Sequence, residues 1–107
     1  MRLALLLVLL PSVATAQYDG AYAVDCAAGA GSEMRIGIEG DSIRFHESIC
    51  RLANPVTVRG MTDATLFDAT CTGEGETWAK RILLMPGSEG GLVRVEDGFA
   101  MTYTRCD

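Results

Sequence analysis

The polar residues that could carry chemistry are concentrated in two short segments, residues 46–48 (HES) and residues 73–76 (GEGE). Three carboxylates could converge if a disulfide between Cys50 and Cys71 brings the two segments close to each other. They belong to Glu47, Glu74 and Glu76. Such a cluster could hold a cation or the basic side chain of a partner. The alternative interpretation is a polar hairpin loop whose glutamates point into water.

Trp78 is the only tryptophan and directly follows the second of these segments. It is in phase with Ile82 and Leu84, which favours packing in the core, because an indole ring buries a large apolar area. The alternative is a platform that contacts a ligand. The candidate binding residues are therefore Glu47, Glu74, Glu76 and Trp78.

Known catalytic motifs are missing from the sequence. It contains no GxSxG, no HExxH and no phosphate-binding glycine loop. His46 and Ser48 could share one face of a strand, but no acidic residue is placed to orient the histidine as a general base. We therefore expect a protein that is not an enzyme, with no catalytic residue, no cofactor and no metal ion.

The four cysteines, Cys26, Cys50, Cys71 and Cys106, are spread widely, and no two lie closer than 21 residues apart. Structural zinc sites use closely spaced pairs, so this spacing favours two disulfides over a metal site. Four cysteines allow three pairings. We favour Cys26–Cys106 with Cys50–Cys71, because the first and last strands of a closed meander are neighbours.

The N-terminus has the pattern of a cleaved signal peptide. Arg2 precedes the apolar run Leu3 to Leu10, and Ala14-Thr15-Ala16 supplies the small residues that signal peptidase needs. A membrane anchor, the alternative, needs roughly 20 apolar residues. The pattern therefore predicts a signal peptide over residues 1–16 and a single domain over residues 17–107. It indicates a periplasmic or secreted protein, with no stable membrane insertion after cleavage.

Charge and size narrow the class of protein further. The chain has 14 Asp+Glu and 9 Lys+Arg, and without Arg2 the basic count is 8, so residues 17–107 carry a net charge of 8 − 14 = −6. This balance argues against nucleic acid as a partner. A domain of this size buries only about 60–65% of its unfolded surface, so it needs the disulfides for stability.

The sequence pattern predicts an all-β domain of seven to nine short strands, forming a small antiparallel barrel or sandwich. A turn at Gly40-Asp41 would place Ile38 opposite Ile43. For the hairpin over residues 92–104 we favour a three-residue loop at 96–98, which pairs Val95 with Phe99 and keeps large apolar side chains together.

Three weaker features lie between these hairpins. Residues 48–52 are interpreted as a strand that continues from Phe45 through a bulge. Asn54-Pro55 indicates a turn before residues 56–59. A third hairpin is predicted around residues 73–76, joining strands over 65–72 and 77–85.

The chain resembles a family of short, uncharacterised exported bacterial proteins with four cysteines. The residues that carry this likeness are Gly20-Ala21-Tyr22 before Cys26, Glu47-Ser48-Ile49-Cys50, Cys71 to Trp78, and Tyr103-Thr104-Arg105-Cys106. The resemblance implies export and no established activity. A fainter architectural likeness is to the periplasmic lysozyme inhibitors, although their serine- and glycine-containing inhibitory loop has no counterpart here.

We therefore expect a non-enzymatic binding or inhibitor-like module of the cell envelope, whose partner is an unknown envelope or extracellular protein. The alternative is a structural or accessory subunit of an envelope complex, attached through an exposed sheet edge.

Overall fold

A computed structural model describes residues 16–29 and 34–107 of the chain. The predicted signal peptide lies outside the described residues, apart from Ala16. Among the described residues, no helix is both long enough and apolar enough to cross a membrane.

Eight antiparallel strands form a closed barrel in which each strand pairs with the next and β8 returns to β1. The strands are β1 (Gly20–Ala23), β2 (Arg35–Glu39), β3 (Ser42–Arg44), β4 (Ile49–Thr57), β5 (Thr65–Gly73), β6 (Glu76–Pro86), β7 (Leu92–Glu96) and β8 (Phe99–Arg105). Short 3-10 turns span Ala16–Tyr18, Cys26–Ala28 and Ser88–Gly90. The expected all-β architecture is confirmed, and the choice between barrel and sandwich is resolved in favour of the barrel.

Both preferred disulfides are present, Cys26–Cys106 and Cys50–Cys71. Cys50 and Cys71 face each other across the ladder of β4 and β5, and both are completely buried. Cys106 lies just beyond β8, which pairs with β1 through Tyr22↔Arg105 and Ala23↔Thr104. The long-range disulfide therefore reinforces the place where the barrel closes with few strand pairs.

The core fills the barrel with alternate residues from all eight strands. Its fully buried large side chains include Tyr22, Ile43, Phe67, Ile82, Leu84 and Leu92. Tyr18 closes one end of the barrel from inside, with its hydroxyl 2.6 Å from the Asp63 carbonyl oxygen and 3.1 Å from that of Leu84. We call the opposite end, where residues 45–48, 74–75 and 97–98 connect the strands, the mouth.

The Gly40-Asp41 hairpin forms as predicted, with Ile38 paired to Ile43. Gly40 has φ +57°, a left-handed conformation that glycine adopts without steric cost. The hairpin around residues 73–76 is also present. Its turn is Glu74-Gly75, in which both residues have positive φ, as the tight hairpin turn of type I′ requires.

The segment after Phe45 corrects the prediction of a continuing strand. The chain reverses there: Arg44 pairs with Ile49, and the Phe45 amide donates to the Ser48 carbonyl oxygen at 2.8 Å. Residues 45–48 therefore form a four-residue hairpin loop and not a bulge.

The predicted turn at Asn54-Pro55 is likewise wrong, because both residues lie inside β4. The register with β5 shifts between Ala53 and Val56, and Asn54 has φ +52°. Asn54 also donates from its side chain to Asp68 at 2.9 Å. The dipeptide therefore forms a bulge in a long strand, a place where proline is tolerated.

The three-residue loop predicted for the last hairpin is wrong, because the turn contains only two residues. Val95 pairs with Ala100 and Glu96 pairs with Phe99, around an Asp97-Gly98 turn. This register points Arg94 and Glu96 into the barrel. The observed register is stable because the charges of Arg94 and Glu96 are paired inside the barrel. The grouping of large apolar side chains therefore does not decide the register at the mouth.

Candidate functional site

A cleft of about 580 Å³ lies at the mouth, between the loop that joins β3 to β4 and the hairpin of β5 and β6. Its lining residues belong to these two regions and are Arg44, Phe45, His46, Glu47, Ser48, Ile49, Thr72, Gly73, Gly75, Glu76 and Thr77. The cleft therefore joins the two polar segments that the sequence singled out, HES and GEGE.

Two features hold the walls of the cleft together. The Cys50–Cys71 disulfide links β4 to β5 two residues below the mouth, next to the pair Ile49↔Thr72. Gly73 then passes so close to the opposite loop that a Cβ added to it would lie 2.5 Å from the Glu47 carbonyl oxygen. Glycine is therefore needed at position 73 for the two segments to approach this closely.

The acidic side chains meet at the rim of the cleft. The left-handed turn at Glu74-Gly75 places the carboxyl of Glu74 near that of Glu47. Hydrogen bonding between these side chains, and then the repulsion between the two carboxylates, raises the pKa of Glu74 above its usual value. His46 Nε2 lies 3.8 Å from Glu47 Oε1 on the other side.

The predicted binding residues are brought together only in part. Glu47 and Glu76 line the cleft, and Glu74 contacts Glu47. Trp78 does not line it. Trp78 pairs with Cys71 and so lies on the inner face of the sheet in phase with buried Ile82, but its side chain remains 37% exposed at the barrel end.

Within residues 16–29 and 34–107, no group of three or more His, Cys, Asp or Glu side chains is placed to hold a metal ion. The carboxylates at the rim can instead accept hydrogen bonds from a guanidinium or ammonium group, which is the charge-assisted kind of contact. His46 and Ser48 both line the cleft, and among the described contacts the only carboxylate near the imidazole is that of Glu47.

The sequence analysis missed a charged network inside the mouth. Arg94 pairs with Glu96, and Lys80 Nζ lies 2.8 Å from Glu96 Oε1. The guanidinium of Arg94 also lies 4.9 Å from the ring centre of Phe45 and 5.1 Å from that of Phe99. The available signal for this network was that Leu92, Arg94 and Glu96 alternate on one face of β7. The predicted register obscured this signal, because it was chosen to group the large apolar side chains.

No family model, curated protein or solved structure matches this chain. The fold and the cleft are therefore interpreted from their own geometry. The two disulfides indicate an oxidising environment for folding.

Proposed function

We propose that this protein is a non-enzymatic binding or inhibitor-like module, periplasmic or secreted, that captures a basic side chain of a partner protein in the mouth cleft. The observation that carries this proposal is that Glu47 and Glu76 line one cleft, whose walls are held together by the close approach at Gly73 and by the Cys50–Cys71 disulfide. The same signal pattern and cysteine framework support export, as in the four-cysteine family that the chain resembles.

The electrostatics of the rim favour a cationic group. Two carboxylates held in contact repel each other when both are ionised, and a guanidinium or ammonium group placed between them removes that repulsion. Among the described residues, neither Glu74 nor Glu76 forms an ion pair with an arginine or lysine. Their capacity to accept hydrogen bonds is thus open to a partner.

The shape of the cleft supports recognition of a protein surface. Apolar Ile49, 45% exposed, and Phe45 line the cleft together with Glu47 and Glu76. A long basic side chain has an apolar stem behind its charged head. The stem matches the apolar residues of the cleft wall, and the head matches the carboxylates at the rim. Rigid loops also limit the loss of conformational entropy on binding.

Attachment through a sheet edge, the structural-subunit alternative, has less support. The closed barrel pairs every strand on both sides along part of its length. On the part of β4 beyond Leu52, a bulge at Asn54 and a proline at position 55 interrupt the regular hydrogen-bonding edge that an added strand would need.

Titration of the isotope-labelled protein with blocked hexaarginine, followed by NMR, tests the proposal. We expect amide shifts confined to residues 45–49 and 72–77, and an affinity at least tenfold lower for the double variant Glu74→Gln/Glu76→Gln, because each lost charge-assisted hydrogen bond is worth about a factor of ten or more. The matched control is Glu39→Gln/Glu89→Gln, which removes two exposed acidic groups at the opposite end of the barrel and the same net charge. Equal weakening by both pairs would refute a localised site.

A further inference from the structure

A second, smaller cavity of about 360 Å³ adjoins the mouth cleft on the outer surface of β1, β2 and β3. Its lining residues are Ala21, Arg35, Ile36, Gly37, Arg44, Phe45 and His46. The last three of these positions, 44 to 46, also line the mouth cleft. The two cavities are therefore continuous around the base of the β3–β4 loop, and we call the second one the arginine groove.

Small residues create the floor of the arginine groove. Gly37 pairs with Ala21 on one side and with Arg44 on the other. A Cβ added to Gly37 would meet no atom within 4 Å, so the space above it is open. A side chain or backbone segment from another molecule could enter there without displacing any part of the barrel.

The two arginines of this groove differ from the other basic residues on the strands. Each of the other basic residues on the strands pairs with a carboxylate. These residues are Arg51, Lys80, Arg81, Arg94 and Arg105. Among the contacts of residues 16–29 and 34–107, Arg35 and Arg44 have neither an ion pair nor a side-chain hydrogen bond.

Two guanidinium groups that form no described ion pair line this cavity. Arg35 and Arg44 belong to neighbouring strands and line the same cavity, with Arg44 opposite Gly37 and Arg35 two residues away along β2. The chain carries 14 acidic residues that could have neutralised them, yet none of the described acidic side chains does. Positions that depart from local electrostatic rules in this way are characteristic of binding sites.

We infer that the arginine groove binds a carboxylate of an acidic peptide segment, supplied by the same partner whose basic side chain enters the mouth cleft. This inference rests on the proposed function and extends it. The planar guanidinium group donates two parallel hydrogen bonds to a carboxylate, so two adjacent arginines can hold one or two acidic side chains with defined geometry. The partner segment therefore carries opposite charges at nearby positions.

The surrounding charge selects a carboxylate over a polyanion. The net charge of −6 over residues 17–107 repels nucleic acid and anionic lipid surfaces. A larger cavity of about 670 Å³ shares Ala21, Gly37 and Arg44 with the groove and is also lined by Asp19, Glu39 and Asp107, so an extended polyanion would contact their carboxylates. A short acidic segment that ends near Arg44 avoids that contact.

Blocked triglutamate is the probe that tests this inference, because its short length limits repulsion by the rest of the protein. Binding is followed at low ionic strength by the backbone amides of residues 35–37 and 43–46 and by the arginine Nε–Hε signals. Arg35→Gln and Arg44→Gln should each weaken binding about tenfold, the cost of one charge-assisted contact. Arg51→Gln is the control, since Arg51 is exposed but paired with Asp41 at 3.5 Å, and it should change the affinity less than twofold.

Four results would overturn the inference. One is equal weakening by Arg51→Gln, which would indicate attraction by net charge alone. The second is binding of inorganic phosphate at the two arginines while triglutamate does not bind, and the third is preferential binding to vesicles rich in anionic lipid. Failure with triglutamate while hexaarginine still binds the mouth cleft would remove the arginine groove and leave the proposed function standing.

Discussion

The guanidinium of Arg94 donates two hydrogen bonds to the hydroxyl of Tyr103, from Nε at 3.0 Å and from Nη2 at 2.8 Å. Its third nitrogen pairs with Glu96, and Glu96 also pairs with Lys80 at 2.8 Å. Arg94 is 7% exposed. A charged side chain is tolerated inside this barrel because nearly all of its donors have acceptors.

We expect Glu96→Gln to lower the free energy of unfolding by about 3 kcal/mol, because it leaves Arg94 buried without a counter-charge. Urea denaturation followed by circular dichroism measures the change. Asp97→Asn is the control, since Asp97 is the exposed neighbour in the turn and its replacement should cost less than about 0.5 kcal/mol. Equal losses for the two variants would contradict a role for the buried pair.

Tyr103→Phe removes the acceptor of both hydrogen bonds and keeps the ring. The expected loss is about 1–2 kcal/mol, smaller than for Glu96→Gln, because the guanidinium keeps its ion pair. Since Tyr103 and Glu96 contact the same guanidinium, the double variant should depart from additivity by at least about 0.5 kcal/mol in a double-mutant cycle. Strict additivity would show that the two contacts act independently.

Local sequence signals predicted those parts of the fold whose chemistry lies within a few residues. Gly40-Asp41 fixed one hairpin because glycine accepts φ +57° there and Ile38 then faces Ile43. The cysteine pairing followed from one topological argument, that the first and last strands of a closed meander are adjacent. In both cases one physical constraint dominates.

The failures occurred where long-range contacts outweigh the local pattern. Arg94 and Glu96 face inward because Lys80 and Tyr103, from other strands, satisfy them there, and a pairing rule based on apolar size omits that energy. Of the site, the meeting of Glu47 with Glu74 was predictable from the disulfide. The register of the Gly40-Asp41 hairpin also places Arg35 and Arg44 on one face of the sheet, but the cavity of the arginine groove depends on β1 as well.

Gly73→Ala should destabilise the protein by about 1–3 kcal/mol, because the added methyl group meets backbone that cannot move aside. The Glu47 carbonyl oxygen would lie 2.5 Å from the new Cβ. Gly37→Ala is the matched control in another strand, where the added Cβ meets nothing within 4 Å. The melting temperatures of the two variants are compared by thermal unfolding. Similar values would contradict the close approach of the two cleft walls.

The stability of the mouth should fall as the pH rises through the range in which Glu74 ionises. The pKa of Glu74 is raised in the folded protein by its hydrogen bond with Glu47, so between the unfolded and folded values the native state binds more protons than the unfolded state. The stabilisation is therefore present below the unfolded value and is lost above the folded one. Unfolding measured from pH 4 to pH 7 should show this decline, and Glu74→Gln should flatten it.

The same ionisation should govern binding in the opposite sense. As Glu74 loses its proton, the rim gains negative charge, so the affinity for hexaarginine should increase over the pH range in which stability falls. His46, whose imidazole lies 3.8 Å from Glu47 Oε1, also faces this rim, so His46→Gln is the necessary control. A pH dependence of binding that persists unchanged in Glu74→Gln would contradict the role of Glu74.

The two disulfides should have separable effects, because only Cys50–Cys71 lies beside the mouth cleft. In the loop-entropy model, replacing the pair Cys50/Cys71 by alanine costs about 3.4 kcal/mol, and replacing Cys26/Cys106 costs about 4.5 kcal/mol. The Cys26/Cys106 variant is the more destabilised of the two. Hexaarginine should nevertheless still shift its amide signals at residues 45–49 and 72–77. The Cys50/Cys71 variant should lose the contact between Glu47 and Glu74, and with it the raised pKa of Glu74, which carboxyl-detected NMR titration measures directly. If both variants keep that raised pKa, the ladder between β4 and β5 positions the rim without help from the disulfide.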